Sequence, residues 1–128
     1  MRPKSKKPRK QRKYIRTASI HERRKMMSSH LSEELMKEHS RRNSPVRKGD
    51  EVSIMRGKFR GKTGKISKVD LKKYKTYIEG IKIRKTDGTE RQAPIHPSNL
   101  KIIKLNLEDK RRVAALKRKA SVIIGEKK

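Results

Sequence analysis

The apolar residues of this chain are sparse, and their spacing is that of strands through its middle. From 45 to 107 they alternate with polar or charged neighbours, the pattern of a sheet with one face on a core. Val52 and Ile54 mark a first strand. Ile66 and Val69 mark a second, and their uneven spacing predicts a bulge. Tyr74, Thr76 and Ile78 mark a third. Ile81 and Ile83 run into Asp87-Gly88, a tight-turn dipeptide, and Thr89 to Ala93 return from it. Ile102, Leu105 and Leu107 supply a last apolar stretch. Short strands with no helix between them, over about 60 residues, suit a small twisted barrel. The expected core is Val52, Ile54, Ile66, Val69, Ile78, Ile83 and Ile102. Tyr74 and Tyr77 have opposite strand parity, so at most one of them belongs to that core.

The flanks read as helical. Ser19 suits the N-cap of a helix from about Ile20 to Met27. Ser32 suits the cap of a second, with Leu35 and Met36 inside it and Glu33 and Glu34 in its first turn, where the helix dipole favours them. Both are too short to hold alone and must pack on the domain or on a partner. Ser44-Pro45 ends this part. Glu108 to Ala120 reads as a further helix, acidic at its start and basic at its end, with Val113 and Leu116 on one side. Pro3 and Pro8 interrupt Met1–Arg16, which has nine Lys or Arg and no acid; alone in water this arm is expected to be extended and disordered.

Charge changes the picture from a small β domain to a partner-bound one. Forty Lys and Arg against 13 Asp and Glu give +27 over 128 residues, and each part of the chain is net positive. Such a molecule repels itself, and a dense polyanion is the expected neighbour; nucleic acid fits better than an acidic protein. Only 30% of residues are hydrophobic and 41% are charged, too few apolar groups for one core through the whole chain. With no Cys there is no disulfide framework and no thiolate metal site. No apolar run approaches the roughly 20 residues that span a bilayer. The basic N-terminus is followed by no apolar stretch, so the chain reads as intracellular rather than secreted.

Candidate chemistry adds little. Gly61-Lys62-Thr63 imitates the end of a nucleotide-binding P-loop, but that motif needs Gly at 56, where Arg stands. His21, His30 and His39 recur at a spacing that puts no two on one helical turn, so no metal site is expected. Glu33 and Glu34 diverge, Asp50 and Glu51 point to opposite strand faces, and no Ser/His/Asp or Cys/His arrangement is present. An enzyme is not expected, and neither is a cofactor or a small-molecule substrate.

Residues 47–80 read RKGDEVSIMRGKFRGKTGKISKVDLKKYKTYIEG. Lys48-Gly49-Asp50 enter a strand, Val52 and Ile54 lie inside it, and Arg56-Gly57, Gly61, Gly64-Lys65, Ile66 and Val69 follow. This stretch resembles the KOW motif. The match continues through Tyr77-Ile78-Glu79-Gly80 and Ile95-His96-Pro97-Ser98-Asn99-Leu100, and the upstream part from Tyr14 to Asn43 agrees as well. The chain thus resembles, over roughly 14–115, the family of ribosomal protein twenty-four of the large subunit, in its archaeal or eukaryotic form. The lysine-rich ending after Leu107 looks more archaeal. The resemblance implies a mainly β fold, a small SH3-like barrel with short flanking helices. It also implies a structural protein that binds large-subunit rRNA early in assembly, near the polypeptide exit tunnel, in the cytoplasm and beside other ribosomal proteins.

The expected organisation is a basic RNA-binding arm (1–16), a short helical extension (17–44), the KOW barrel (45–107) and a basic C-terminal helix and tail (108–128). Expected RNA contacts are Arg2, Lys4, Lys6, Lys7, Arg9, Lys10, Arg12, Lys13 and Arg16 in the arm, and Arg23, Arg24, Lys25, Arg41 and Arg42 in the extension. In the glycine-rich loop they are Arg56, Lys58, Arg60, Lys62 and Lys65, whose glycines permit close backbone approach to phosphate. Phe59 either stacks on a base or is buried under the loop. His96, with Ser98 and Asn99, either anchors its loop by a hydrogen bond or stacks on RNA. Two other classes compete. A free-standing KOW-type transcription or chromatin factor would need a further α/β domain, for which 128 residues leave no room. A cationic membrane-surface protein would need a broad apolar helix face with aromatics.

Overall fold

The computed structural model describes residues 3–126, with side chains as far as Arg118. The order along the chain is α1 (Pro8–Thr17), α2 (Ile20–Met26), β1 (Ser28–Leu31), α3 (Glu33–His39), β2 (Asn43–Pro45), β3 (Glu51–Ile54) and β4 (Thr63–Asp70). Then follow β5 (Lys75–Ile78), β6 (Lys82–Arg84), β7 (Glu90–Gln92), a 3-10 turn (Pro97–Asn99), β8 (Leu100–Lys104) and α4 (Lys110–Glu126). The fold is mainly β with flanking helices.

Six strands form one sheet in the order β2-β1-β8-β3-β4-β5, and β6 and β7 form a separate hairpin. The β4–β5 ladder slips between Ile66 and Lys68, which is the bulge that the spacing of Ile66 and Val69 predicts. The expected barrel does not close: the outer edge of β5 is met at one bridge, Thr76 with Ile95. Pro97, two residues beyond Ile95 and facing the same side, has no N–H to extend that ladder.

Two strands lie where only helices are expected. β1 runs parallel to β8, with His30 opposite Lys101 and Leu31 opposite Ile102, and antiparallel to β2. Met27 and Leu31 are therefore fully buried together with Val52, Ile54, Ile66, Ile78, Leu100 and Ile102. Ser29, also buried, donates its hydroxyl hydrogen to the Pro97 carbonyl at 2.7 Å. Ile81, Ala93, Ile95 and Leu105 complete the core on the sheet side, and Leu116 seals it from α4. Val69 is half-buried against this core, and so is Tyr74. Ile83 is not in it: the β6–β7 hairpin forms a sheet separate from the six strands, and Ile83 stands 40% exposed.

The caps follow the sequence. The Ser32 hydroxyl accepts from the Leu35 N–H, and the Ser19 N–H donates to the Glu22 carboxylate at 3.3 Å. The proline reading needs correction. Pro8 does not break a helix but begins one, because the first helical position needs no N–H and favours the fixed proline φ. Gln11 Nε2 donates to the Ser5 carbonyl at 2.7 Å and holds the chain that leads into α1.

The start of β3 is fixed by a buried carboxylate. Asp50 is fully buried, and its oxygens accept from both terminal nitrogens of Arg112 on α4, at 2.6 and 2.7 Å. They also accept the backbone N–H groups of Arg47 at 3.0 Å and Asn106 at 2.9 Å. Four donors on one carboxylate join α4, the β8–α4 connection and the turn before β3.

Candidate nucleic-acid interface

The site grows out of a surface with few carboxylates. Among the described residues, the ion pairs are Asp50 with Arg112, Arg47 with Asp109, Lys82 with Glu90 at 3.6 Å, and His39 with Glu38 at 4.0 Å. The Arg47 guanidinium bonded to Asp109 holds that carboxyl below the usual range, as does the Arg111 N–H beside it. Among the described residues, most Lys and Arg face solvent.

The glycine-rich loop joins β3 to β4 as a tight end. Gly57 and Gly61 have φ of +97° and +87°, a left-handed backbone that glycine adopts without strain. Gly61 N–H donates to the Ile54 carbonyl, and Ile54 N–H donates to the Lys62 carbonyl. The short ring of bonds presents Arg56, Lys58, Arg60, Lys62 and Lys65 to solvent, and no carboxylate among the described residues pairs with them. Phe59 turns inward instead. It is half-buried against the core, with the Lys62 ammonium 5.2 Å from its ring centre.

α1 presents Arg9, Lys10, Arg12, Lys13 and Arg16 to solvent, and Lys4, Lys6 and Lys7 are exposed just before it. Arg2 lies outside the described residues. Contacts to the body hold the helix: the Tyr74 hydroxyl donates to the Ile15 carbonyl, and Arg23 donates to the Arg16 carbonyl at 2.6 Å. Arg24, Lys25 and Arg42 are exposed in the same N-terminal part.

Arg23 and Arg41, both expected at the interface, tie separate elements of the protein together. Arg23 also donates to the carbonyls of Ala18 at 2.9 Å and Lys72 at 3.3 Å, and its guanidinium lies 5.4 Å from the centre of the Tyr74 ring. It joins α1, α2 and the β4–β5 turn. Arg41 donates to the Ala115 carbonyl at 2.6 Å and joins the end of α3 to α4. The long-range part of each role is not visible as a local pattern, since the Lys72 and Ala115 carbonyls lie far away in the chain.

His96 caps the 3-10 turn. Its Nδ1 accepts the Ser98 N–H at 3.2 Å and lies 2.7 Å from the Ser98 hydroxyl. A backbone N–H can only donate, so the proton of the neutral ring sits on Nε2. Desolvation, and then the charge of Lys75, push the ring below its ordinary pKa. Asn99 is half-buried, and its carbonyl accepts the Met55 N–H at 2.8 Å, which places this turn beside the glycine-rich loop.

No three His, Cys, Asp or Glu residues converge among the described residues, and no helix there is long and apolar enough to cross a membrane. What the geometry offers is a small rigid core carrying a dense field of uncompensated cations, an arrangement suited to phosphate.

This is the architecture of a small, highly basic β domain with flanking helices. The sequence profile of the family of eukaryotic L26 and archaeal L24 ribosomal proteins matches residues 5–119, and the chain belongs to that family. It is 52% identical over 115 residues to the large ribosomal subunit protein uL24 of Methanosphaera stadtmanae, covering 90% of this chain and 98% of that protein. It is 50% identical over 119 residues to the large ribosomal subunit protein uL24 of Korarchaeum cryptofilum, covering 93% and 91%.

Proposed function

We propose that this chain is a structural constituent of the large ribosomal subunit in the cytoplasm and that it binds large-subunit rRNA by neutralising phosphate. It joins early in assembly, near the polypeptide exit tunnel, beside other ribosomal proteins. The observation that carries the binding reading is the set of exposed loop cations, Arg56, Lys58, Arg60, Lys62 and Lys65, held by a tight turn with no carboxylate partner among the described residues. Release of counterions from rRNA by such groups drives association. Recognition is by shape and phosphate position, because aromatics are only 3% of the chain and Phe59 turns inward. Family membership supports the ribosomal context, and the assembly stage and location rest on it.

Sucrose-gradient sedimentation of a lysate tests the reading. The tagged chain is expected to co-migrate with the large subunit after a high-salt wash, and pulse-labelled chain to enter the earliest precursor particles. A chain that remains at the top of the gradient contradicts it.

A further inference from the structure

A groove of about 820 Å³ lies between α2, the turn before β3, the end of β4 and the start of α4. We propose that it seats an unpaired RNA nucleotide, the base on its aliphatic floor and the flanking phosphates on its rim; this rests on the RNA-binding reading above.

The floor is aliphatic. Met27 and Val46 form its buried part, and Val69 and Leu71 are half-buried beside them. The rim is cationic and comes from four separate parts of the chain: Arg24, Arg47 with Lys48, Lys68, and Arg111, all exposed. One carboxylate, Asp109, lines the groove, and Arg47 engages it. Arg24, Lys48 and Lys68 are left without an acidic partner among the described residues, the Lys68 ammonium lying 5.8 Å from the centre of the Tyr77 ring, and Arg111 stands beside Asp109 without an ion pair to it.

The occupant must combine an apolar face with closely repeated negative charge. A paired base offers no free face, because it is stacked within its helix; an extruded base offers one, with a phosphate on either side. Arginine planes at the rim suit the same base, since guanidinium groups stack on it. A lipid carries too little charge per length of acyl chain for a rim with this many cations. The groove falls within the roughly 300–1,000 Å³ usual for clefts that enclose small ligands. An acidic peptide with apolar side chains is the other chemistry that fits, but a chain at +27 in a ribosomal family meets phosphate on several sides, which favours RNA.

The test uses the full-length protein with labelled methyl groups. Three probes are compared at equal salt: a twelve-nucleotide oligoadenylate, an RNA duplex of twelve base pairs, and a peptide of alternating Asp and Leu. The oligoadenylate is expected to shift the methyls of Val46, Val69 and Leu71 and the duplex to leave them. Lys68→Glu with Arg111→Glu is then set against Lys73→Glu with Lys85→Glu, which changes the net charge equally outside the groove. The groove pair is expected to lose roughly tenfold more affinity for oligoadenylate, the scale of one lost base seat. Equal losses, or unmoved methyls while the native protein still binds RNA, overturn the groove and leave the RNA reading standing. Failure of the native protein to bind either RNA at low salt overturns both. Stronger shifts from the peptide make the groove a protein-docking site instead.

Discussion

Asp50 and Arg112 meet through two hydrogen bonds, 2.6 and 2.7 Å, with the carboxylate wholly out of water. Breaking one side leaves a buried charge without its counterion. Arg112→Ala is expected to destabilise the fold by about 3–5 kcal/mol in urea unfolding. Arg112→Lys recovers only part of that, because an ammonium cannot span both oxygens. Replacing both residues by leucine does not restore the native value either. The N–H groups of Arg47 and Asn106 then lose their acceptor. Full recovery by the double substitution contradicts this account of the four-donor carboxylate.

Three glycines of the KOW-like stretch separate two causes of glycine preference. A Cβ on Gly64 stands 2.7 Å from Ile78 Cγ2 and 2.9 Å from the Glu79 carbonyl oxygen, and the second of these is backbone. Gly57 and Gly61 have open space at that position and only the positive φ to satisfy. Gly64→Ala is expected to cost about 1–3 kcal/mol by overpacking the β4–β5 ladder. Gly57→Ala and Gly61→Ala cost about 1–2 kcal/mol each from the left-handed backbone. Melting profiles check the values. Hydrogen exchange separates the causes, because only Gly64→Ala loosens amides on β5.

His96 gives the fold a pH dependence of known sign. Its ring is held below the ordinary histidine pKa, so the native state favours the neutral form that accepts from Ser98. The contribution is full above the ordinary range. It declines as pH falls through the window between the ordinary and the lowered value, where the unfolded chain takes up more protons. An NMR titration of the His96 ring is expected to give a midpoint below about 6.5. His96→Asn keeps an acceptor for the Ser98 N–H and should remove this part of the dependence; an unchanged profile in that variant would contradict the assignment.

Arg56 and Arg60 stand in solvent at the end of the β3–β4 turn. Reversing both charges is expected to leave the β-sheet circular dichroism intact and to reduce incorporation into subunits. The slope of log K against log salt falls by roughly 0.7–0.9 for each phosphate that is no longer neutralised. An unaltered slope removes these two residues from the interface. Loss of the sheet signal would make them structural instead.

Amide hydrogen exchange on the free protein tests the place of β1. Leu31 N–H donates to the Arg42 carbonyl and Ser32 N–H to the Ile102 carbonyl, each at 2.9 Å. These amides are expected to exchange as slowly as those of β8. The α1 amides exchange far faster, since no residue of that helix is buried. Fast exchange at Leu31 would place the N-terminal part outside the cooperative unit.

Much of the fold was readable because its signals are local. Ser19 and Ser32 each stand one residue before a helix, and Val52, Ile54, Ile66 and Ile78 alternate as core residues should. β1 was not readable. Its sequence is Ser-Ser-His-Leu, and one apolar residue in four makes no period; its burial comes from sheet neighbours distant in the chain. Ile83 shows the opposite failure. Alternation identifies a strand face but not whether a second layer covers it, and Ile83 on the β6–β7 hairpin is left 40% exposed. For the interface, cation positions were plain in the sequence. Their convergence was not: Arg24, Lys68 and Arg111 meet only because three elements pack together. The engagement of Arg23 and Arg41 by backbone carbonyls leaves no trace in composition.

The parallel pairing of β1 with β8 sets a timetable for synthesis. β1 leaves the ribosome early, but the strand that receives it is among the last to be made. Until β8 appears, β1 has β2 alone as a strand neighbour, and Leu31 lacks the Ile102 that stands opposite it. Contacts between distant parts of a chain form late and slowly. During that interval the cations of the N-terminal part sit on a segment that lacks its central strand neighbour. An anionic surface that captured them then would hold the unfinished molecule in place while its remainder was added, so that attachment precedes closure.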